Sequence, residues 1–137
     1  MEDCIFCKIV AEKIHGEKLY ETPNILAFLD IAPANYGHTL IIPKRHYETL
    51  FDIPDETLKE IATELKHIGK AVIDATGAEG VNIVMNNKKA AGQIVPHAHF
   101  HIIPRYVSDG HKFFGNNKKY PDGEMTKVAQ KIKKGLV

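Results

Sequence analysis

The sequence has almost no excess of charge of either sign. Its 137 residues carry 18 lysines and arginines against 17 aspartates and glutamates, a formal net charge of +1. A nucleic-acid duplex is usually bound by a strongly basic surface, so the composition gives no reason to expect that partner. Tryptophan is absent, but 44% of the residues are hydrophobic, which excludes a disordered chain and suffices for one core. We therefore expect a single domain over residues 1–137.

Long hydrophobic runs are also missing. No apolar stretch approaches the roughly 20 residues needed to cross a bilayer. The first residues, Met1 to Cys4, are acidic and lack the basic region and apolar stretch of a signal peptide. The sequence therefore predicts a cytoplasmic protein without a membrane partner.

Cysteine is scarce, and the two cysteines stand close together. Cys4 and Cys7 are separated by two residues, a spacing that is cramped for a disulfide and common among metal ligands. Because proteins without an export signal seldom keep disulfides, a metal site is the better interpretation, and two free thiols are the alternative. A thioredoxin-like redox pair is disfavoured because no strand precedes Cys4.

One long helix is predicted by an apolar stripe with spacings of three and four residues. The stripe runs from Leu58 to Val72 and predicts a helix over Asp55–Thr76. Pro54 suits the helix start and Gly77 suits its end.

The other elements are short. Runs rich in β-branched and aromatic residues predict four strands, at Asn24–Asp30, Gly37–Pro43, Gly80–Asn86 and Val95–Pro104. We also expect a short helix and then a strand within Lys8–Glu21, a loop over Ser108–Gly123 and a weak basic helix over Glu124–Lys134. Strands that follow strands favour an α+β fold with a mostly antiparallel sheet.

Histidine is the residue present in unusual number. Three of the eight histidines, His97, His99 and His101, fall within five positions. On a strand, alternate side chains face opposite sides, so the three imidazoles would line one face and the apolar residues between them would enter the core. Imidazoles titrate near neutral pH, and three in a row can act as acid, base, nucleophile or metal ligand.

Two other interpretations of these histidines remain open. They could be incidental residues of a half-buried strand, or a tri-histidine centre that binds a catalytic zinc ion with water as its fourth ligand. The strict alternation of three histidines argues against the first interpretation. The second is disfavoured because one flat strand rarely wraps three ligands around a tetrahedral ion.

The segment from His97 to Ile103 resembles the motif of the histidine triad family, in which histidines alternate with apolar residues. Further parts of the chain resemble that family in the same order, namely residues 3–9, 26–33 and 37–46 and, at the family's spacing before the triad, Asn86, Gly92 and Gln93. The resemblance spans roughly residues 3–105 and leaves the tail, residues 106–137, outside it.

The resemblance implies a fold and a chemistry. Members of the family have a five-stranded antiparallel sheet with one long helix and short helices, and two such sheets usually join in a homodimer. They bind nucleotides and hydrolyse or transfer at the α-phosphate of nucleoside phosphoramidates, acyl-nucleotides or dinucleoside polyphosphates. We therefore expect a purine nucleotide hydrolase that releases AMP or GMP.

The resemblance also implies a nucleophile, His99. In the family the middle histidine attacks phosphorus and forms a nucleotidyl-histidine intermediate, which water then cleaves. A neutral imidazole is a competent nucleophile at neutral pH, and a backbone carbonyl near His97 would fix its tautomer. His101 would donate to a phosphate oxygen or to the leaving group.

The phosphate would be held by the loop before the triad. Gln93 would orient it, together with the backbone N–H groups of Ile94 and Val95, which stabilise developing charge. Gly92 and Asn86 would assist, Asn86 at the ribose–phosphate end. Ile94 replaces the serine or threonine of some relatives, so a hydroxyl contact is lost there.

The nucleoside pocket follows from the same resemblance. Asp30 would accept hydrogen bonds from both ribose hydroxyls, although a turn residue is the alternative. An apolar slot for the base would be formed by five residues, which could equally be plain core: Ile5, Phe6, Ile9, Phe28 and Leu29.

A structural zinc ion is implied by the members of the family that carry a CxxC pair. They complete the site with a distant histidine and the first triad histidine, here His46 and His97. Two cysteines and two histidines are a common structural zinc set. Because other members lack the cysteines, we expect one zinc ion per chain with no part in the chemistry.

Three points stay open at the level of sequence. His38 matches a family position beside the triad or is a packed strand histidine, His67 is expected in solvent, and no role is assigned to His15 or His111. Instead of a hydrolase, the chain could be a nucleotide- or zinc-binding regulatory module with little turnover. It could also be a nucleotidyl transferase, although those relatives are larger and often carry glutamine where this chain has His101.

Overall fold

A five-stranded antiparallel sheet forms the centre of the molecule. The computed structural model of the chain describes residues 3–112 and 117–136. The strands are β1 (Lys18–Glu21), β2 (Ile25–Leu29), β3 (Thr39–Pro43), β4 (Gly80–Val84) and β5 (Phe100–Arg105). They lie in the order β1-β2-β3-β5-β4, and every neighbouring pair is antiparallel. The predicted α+β class is confirmed.

The described residues form three α-helices, α1 (Ile5–Val10), α2 (Asp55–Thr76) and α3 (Glu124–Gly135), with short 3-10 helices at Leu50–Asp52 and Lys89–Ala91. The predicted bounds of the long helix α2 are confirmed at both ends. It stops at Gly77, which has φ +68° and donates its N–H to the carbonyl of Ile73 at 2.9 Å. None of the helices among the described residues combines the length and apolarity needed to span a bilayer.

Both faces of the sheet are covered. On one face, α2 packs against residues of the central strands that include Ile41, Phe100 and Ile102. On the other face, α1 packs Phe6 and Ile9 against residues that include Leu26, Phe28, Leu40 and Ile42. Burial on two faces explains why β2 and β3 are nearly continuous apolar runs and do not alternate with polar residues.

Two predicted elements are placed differently by the structure. The first helix begins at Ile5 and not within Lys8–Glu21, because the Cys4 sulfur accepts the N–H of Cys7 at 3.4 Å and caps the helix start. The strand predicted over Val95–Pro104 begins only at Phe100.

The late start of β5 has a local cause. Pro96 has no N–H to give to a neighbouring strand, and the N–H of His97 bonds to the carbonyl of Val95 at 2.9 Å in a tight turn. The Ala98 N–H then donates to the carbonyl of Tyr47 at 2.7 Å. Residues 95–99 therefore leave the ladder.

The other predicted strands and the predicted tail helix differ from the observed elements only at their ends. The other three strands are shorter than predicted, and the tail helix is one residue longer. Described residues 108–112 and 117–123 of the predicted loop have no helix or strand, and residues 113–116 lie outside the described residues.

Two glycines, Gly69 inside α2 and Gly77 directly after its end, give a matched test of backbone conformation. A Cβ at either Gly69 or Gly77 meets no atom within 4 Å, so side-chain clashes do not contribute. Gly77→Ala forces alanine into the left-handed region and should lower the free energy of unfolding by about 1–2 kcal/mol. Gly69→Ala, in the helix interior, should raise it by about 0.5–1 kcal/mol. Urea unfolding of both variants checks the opposite signs, and a change of the same sign in both would contradict this account.

Candidate active site

The three triad histidines lie on the α1 side of the sheet although only His101 belongs to β5. The apolar residues between them belong to the core beneath α2, so the predicted alternation is kept. The ring centroid of Phe6 lies 5.8 Å from that of His97 and 5.1 Å from that of His99, and the His99 and His101 rings are 5.0 Å apart. His97 and His99 are buried, and His101 is half-buried.

The tautomer of His99 is fixed by the backbone. Its Nδ1 lies 2.7 Å from the carbonyl oxygen of His97. A carbonyl only accepts, so Nδ1 carries the hydrogen and Nε2 keeps a lone pair. Burial lowers the pKa of His99, which keeps the ring neutral at pH 7. This arrangement is what a nitrogen nucleophile requires.

The tautomer of His101 is fixed through His38. The Ala34 N–H donates to Nδ1 of His38 at 3.0 Å, so the His38 hydrogen is on Nε2. That nitrogen lies 2.9 Å from Nδ1 of His101 and donates to it. His101 therefore carries its own hydrogen on Nε2. Burial lowers the pKa of His101 to about 4, so the ring is neutral and offers an N–H.

The predicted base slot is one cavity of about 290 Å³. It is lined by Asp30 and by all five apolar residues expected there: Ile5, Phe6, Ile9, Phe28 and Leu29. The second carboxylate oxygen of Asp30 lies 3.6 Å from Nε2 of His38, and the first accepts the N–H of Ala32 at 2.9 Å. The structure thus places an acidic group between the slot and the histidines.

The loop before the triad is organised by Gln93. Its carbonyl oxygen accepts the N–H of Lys88 at 2.8 Å, and its amide nitrogen donates to the carbonyls of Glu48 at 2.6 Å and Val95 at 3.0 Å. Both amide hydrogens are therefore committed to the protein. In this structure Gln93 therefore shapes the loop through which it is predicted to orient the phosphate.

The other residues expected at the phosphate lie around this loop. Gly92 has φ +92°, and a Cβ there would meet the Asn86 side chain at 3.8 Å. Ile94 is 92% exposed, and it lines an open cavity of about 740 Å³ with Lys88 and Lys89. Val95 borders a second cavity beside Cys4 and His46 and not this one.

The four predicted metal ligands converge. The shortest sulfur–nitrogen distances are 3.3 Å from Cys4 to Nδ1 of His97 and 3.4 Å from Cys7 to Nδ1 of His46, and Cys7 lies 3.6 Å from His97. All four ligand atoms lie within 4.8 Å of one another. A tetrahedral zinc ion with its usual bond lengths places sulfur and nitrogen about 3.5 Å apart, so the residues fit that ion.

His97 is oriented for such a site. Its Nε2 lies 2.8 Å from the carbonyl of Pro43 and donates to it, so the lone pair on Nδ1 points to the two sulfurs. The same residue accepts the His99 hydrogen on its carbonyl. A metal held here would therefore anchor the group that orients His99, as outer partners of metal sites commonly do.

The structure adds a contact at two histidines whose roles the sequence left open or unassigned. His111, to which no role was assigned, hydrogen-bonds the carbonyl of Ala34 at 2.9 Å. His38 contacts His101 directly, which favours its interpretation as a neighbour of the triad. His67 is 60% exposed, as expected. The backbone partners Ala34, Glu48 and Pro43 were missed, because no residue pattern marks a backbone group.

Comparison with known families agrees with this geometry. Residues 11–108 match the HIT domain. The chain belongs to the HIT family. A HIT-like protein of Methanocaldococcus jannaschii is 46% identical over 133 residues, which cover 95% of this chain and 98% of that relative.

Several relatives of the chain are named as enzymes. The adenosine 5'-monophosphoramidase hnt1 of Schizosaccharomyces pombe is 47% identical over 102 residues, 74% of each chain. The adenylylsulfatase HINT3 of Arabidopsis thaliana is 43% identical over 107 residues, 78% of this chain and 54% of the relative.

Solved structures share the whole fold. A HIT family protein from Bacillus subtilis superposes with a TM-score of 0.91 at 39% identity, with 98% of each chain covered. A zinc-bound histidine triad family protein from Mycobacterium smegmatis superposes with a TM-score of 0.77 at 35% identity, with 99% of each chain covered.

Zinc should copurify with this chain at one ion per molecule. The ligand distances fit the ion, and binding to the folded state alone adds stability. Elemental analysis of protein purified without chelator measures the stoichiometry, and chelation should lower the melting temperature. Cys7→Ser should lose the ion, whereas Ser108→Ala, a substitution at an exposed position of the tail, should keep it. A metal retained by the Cys7 variant would mean that other residues bind it.

Proposed function

We propose that this HIT-family chain is a hydrolase that cleaves purine nucleotide conjugates at the α-phosphate, with His99 as nucleophile. The observation that carries the proposal is the 2.7 Å hydrogen bond from Nδ1 of His99 to the His97 carbonyl. It leaves the lone pair on Nε2 of a neutral, buried ring. Relatives named as a monophosphoramidase and an adenylylsulfatase support hydrolysis of nucleotides.

The proposed reaction has two steps. Nε2 of His99 attacks the α-phosphorus and forms a phosphorus–nitrogen bond, while the bond to the leaving group breaks and Nε2–H of His101 supplies a proton to that group. Water then attacks the nucleotidyl-histidine and gives its proton to the same nitrogen of His101. AMP or GMP leaves, and both imidazoles return to their starting states.

We propose adenosine phosphoramidates as the first substrates to test, before acyl-adenylates and dinucleoside polyphosphates. The name of the Schizosaccharomyces pombe relative supports this order. The base would occupy the slot beside Phe6 and Phe28, and Asp30 would bind the ribose. Asn86 and the backbone N–H groups of Ile94 and Val95 would lie toward the phosphate, in the loop that Gln93 shapes.

The proposed cofactor is one structural zinc ion held by Cys4, Cys7, His46 and His97. When bound, the ion would tie the start of α1 to the segment before β5. No step of the reaction uses it. The neighbouring zinc-bound structure supports the identity of the metal. The two cysteines form no disulfide, and zinc-binding cysteines outside a disulfide suit a reducing compartment, which supports a cytoplasmic location.

We also propose a homodimer. Met125, Val128 and Ile132 form an apolar stripe along α3, and Met125 and Ile132 are 63% and 60% exposed. No described residue of α3 is buried. A 12-residue helix is marginal in water without packing, so a second copy that covers the stripe would stabilise it. The strand β4 also lies at an edge of the sheet.

His99→Ala should abolish turnover and leave nucleotide binding in place. Loss of a nucleophile costs several orders of magnitude in rate, whereas the substitution keeps Asp30 and all five apolar residues of the proposed base slot. AMP release from adenosine 5'-phosphoramidate measures the first effect, and calorimetric titration with AMP measures the second. His67→Ala, at an exposed position on α2, is the control and should retain wild-type turnover. Activity of His99→Ala within about tenfold of wild type would rule out the nucleophile.

Asp30 should select ribonucleotides. A charge-assisted hydrogen bond is worth about 1.5–3 kcal/mol, so a 2'-deoxyadenosine phosphoramidate should lose roughly ten- to a hundredfold in kcat/KM. Asp30→Asn should narrow that gap, since a neutral amide gains less from either hydroxyl. Kinetics on the matched pair of substrates checks both points. Equal kcat/KM for the two in the wild-type enzyme would show that Asp30 does not bind the ribose.

A further inference from the structure

The chain after β5 turns back on itself around a buried carboxylate. Residues 105–111, which we name the tail strap, are held by Asp109, whose side chain is only 7% exposed. Its two oxygens accept from Nε and Nη2 of Arg105 at 2.7 and 2.9 Å, and from the N–H groups of Tyr106 at 3.0 Å and His111 at 2.9 Å. The Arg105 guanidinium holds the pKa of this carboxyl well below its usual range, so it is ionised throughout the working pH.

The tail strap is hydrogen-bonded to the loop between β2 and β3. The amide of Asn35 donates to Asp109 at 3.0 Å and to the carbonyl of Pro104 at 2.8 Å. Next to it, Nε2 of His111 donates to the carbonyl of Ala34 at 2.9 Å. Residues 34 and 35 are therefore fixed by groups that lie about 70 positions later in the sequence.

Ala34 also influences the tautomers of His38 and His101. Its N–H donates to Nδ1 of His38, and this bond leaves Nε2 to carry the His38 hydrogen, on the side where the Asp30 carboxylate lies 3.6 Å away. If the Ala34 N–H moved away, the His38 hydrogen could shift to Nδ1 and the His101 hydrogen to its own Nδ1. No proton would enter or leave the pair. The outward nitrogen of His101 would then be a bare lone pair with nothing to donate.

We propose that Asp109 is a positioning residue that holds His101 in its proton-donating tautomer through Ala34 and His38. Asp109 acts at a distance, by ordering the tail strap. The tautomer itself follows from the geometry. Its effect on catalysis rests on the proposed role of His101 as the acid for the leaving group.

The first experiment measures the tautomers without any substrate. Long-range proton–nitrogen NMR spectra of ¹⁵N-labelled protein at pH 7.5 distinguish Nδ1–H from Nε2–H imidazoles. We expect His38 and His101 as Nε2–H in the wild-type protein, and a substantial Nδ1–H population at both in Asp109→Ala. Ser108→Ala, in the same strap, is the control and should match the wild type. Unchanged tautomers in a folded Asp109→Ala would overturn the proposal.

A second variant covers the case in which Asp109→Ala does not fold. His111→Ala removes only the contact with the Ala34 carbonyl, and His111 is exposed, so the substitution leaves the core intact. The same shift toward Nδ1–H is expected, to a smaller extent. No shift in either His111→Ala or a folded Asp109→Ala is the result that contradicts the proposal.

The second experiment separates loss of the acid from general disorder. An amine leaving group needs a proton, whereas p-nitrophenolate departs without one. Because a general acid contributes about 10²–10⁴-fold, Asp109→Ala should lose about tenfold or more in kcat on adenosine phosphoramidate. On the p-nitrophenyl ester of AMP, kcat should stay within about threefold, and KM should be unchanged for both.

Equal losses of kcat on the two substrates would show a merely structural role and overturn the proposal. If the wild-type chain cleaves neither substrate, the proposed function fails. The NMR result would still decide whether Asp109 controls the tautomer.

Discussion

The hydrogen bond between Nδ1 of His99 and the carbonyl of His97 is the constraint around which the site is arranged. At 2.7 Å it holds the ring and leaves its other nitrogen free. His97 can hold that carbonyl in place because its own ring is fully buried, with Nε2 on Pro43 of β3 and Nδ1 facing the two thiols. One residue thus joins the sheet, the predicted metal ligands and the imidazole of the proposed nucleophile.

The interruption of the sheet before β5 makes this bond available. In a regular antiparallel ladder, a backbone carbonyl of an inner strand is engaged by the N–H of its neighbour. The tight turn at Pro96 takes residues 95–99 out of the ladder, so the His97 carbonyl is free to accept from a side chain. The place where the strand prediction is wrong is therefore the place where the proposed nucleophile depends on irregular backbone, as expected for functional sites.

Local patterns were sufficient for much of the molecule. The apolar stripe and Gly77 predicted both ends of α2, and the alternation of residues 97–101 predicted which side chains enter the core. The four side chains predicted as metal ligands also lie together. What could not be predicted depends on backbone atoms brought from far along the chain: the Glu48 carbonyl that occupies Gln93, and the Ala34 peptide held by His111. A residue pattern indicates the chemistry of the side chains. It does not indicate which distant backbone carbonyl or N–H will contact each side chain in the folded chain.

Backbone groups also explain how three identical side chains acquire different chemistry. Alternation alone would give three equivalent imidazoles, each free to carry its hydrogen on either nitrogen. The Pro43 carbonyl accepts from Nε2 of His97, which leaves the lone pair on Nδ1, facing the thiols. The His97 carbonyl accepts from Nδ1 of His99, which leaves the lone pair on Nε2. The Ala34 N–H, acting through His38, turns the hydrogen of His101 outward. Because these three backbone groups do not titrate, the division into ligand, lone pair and donor persists as long as the rings stay neutral. Burial, which lowers the pKa of His101 to about 4, keeps them so at physiological pH.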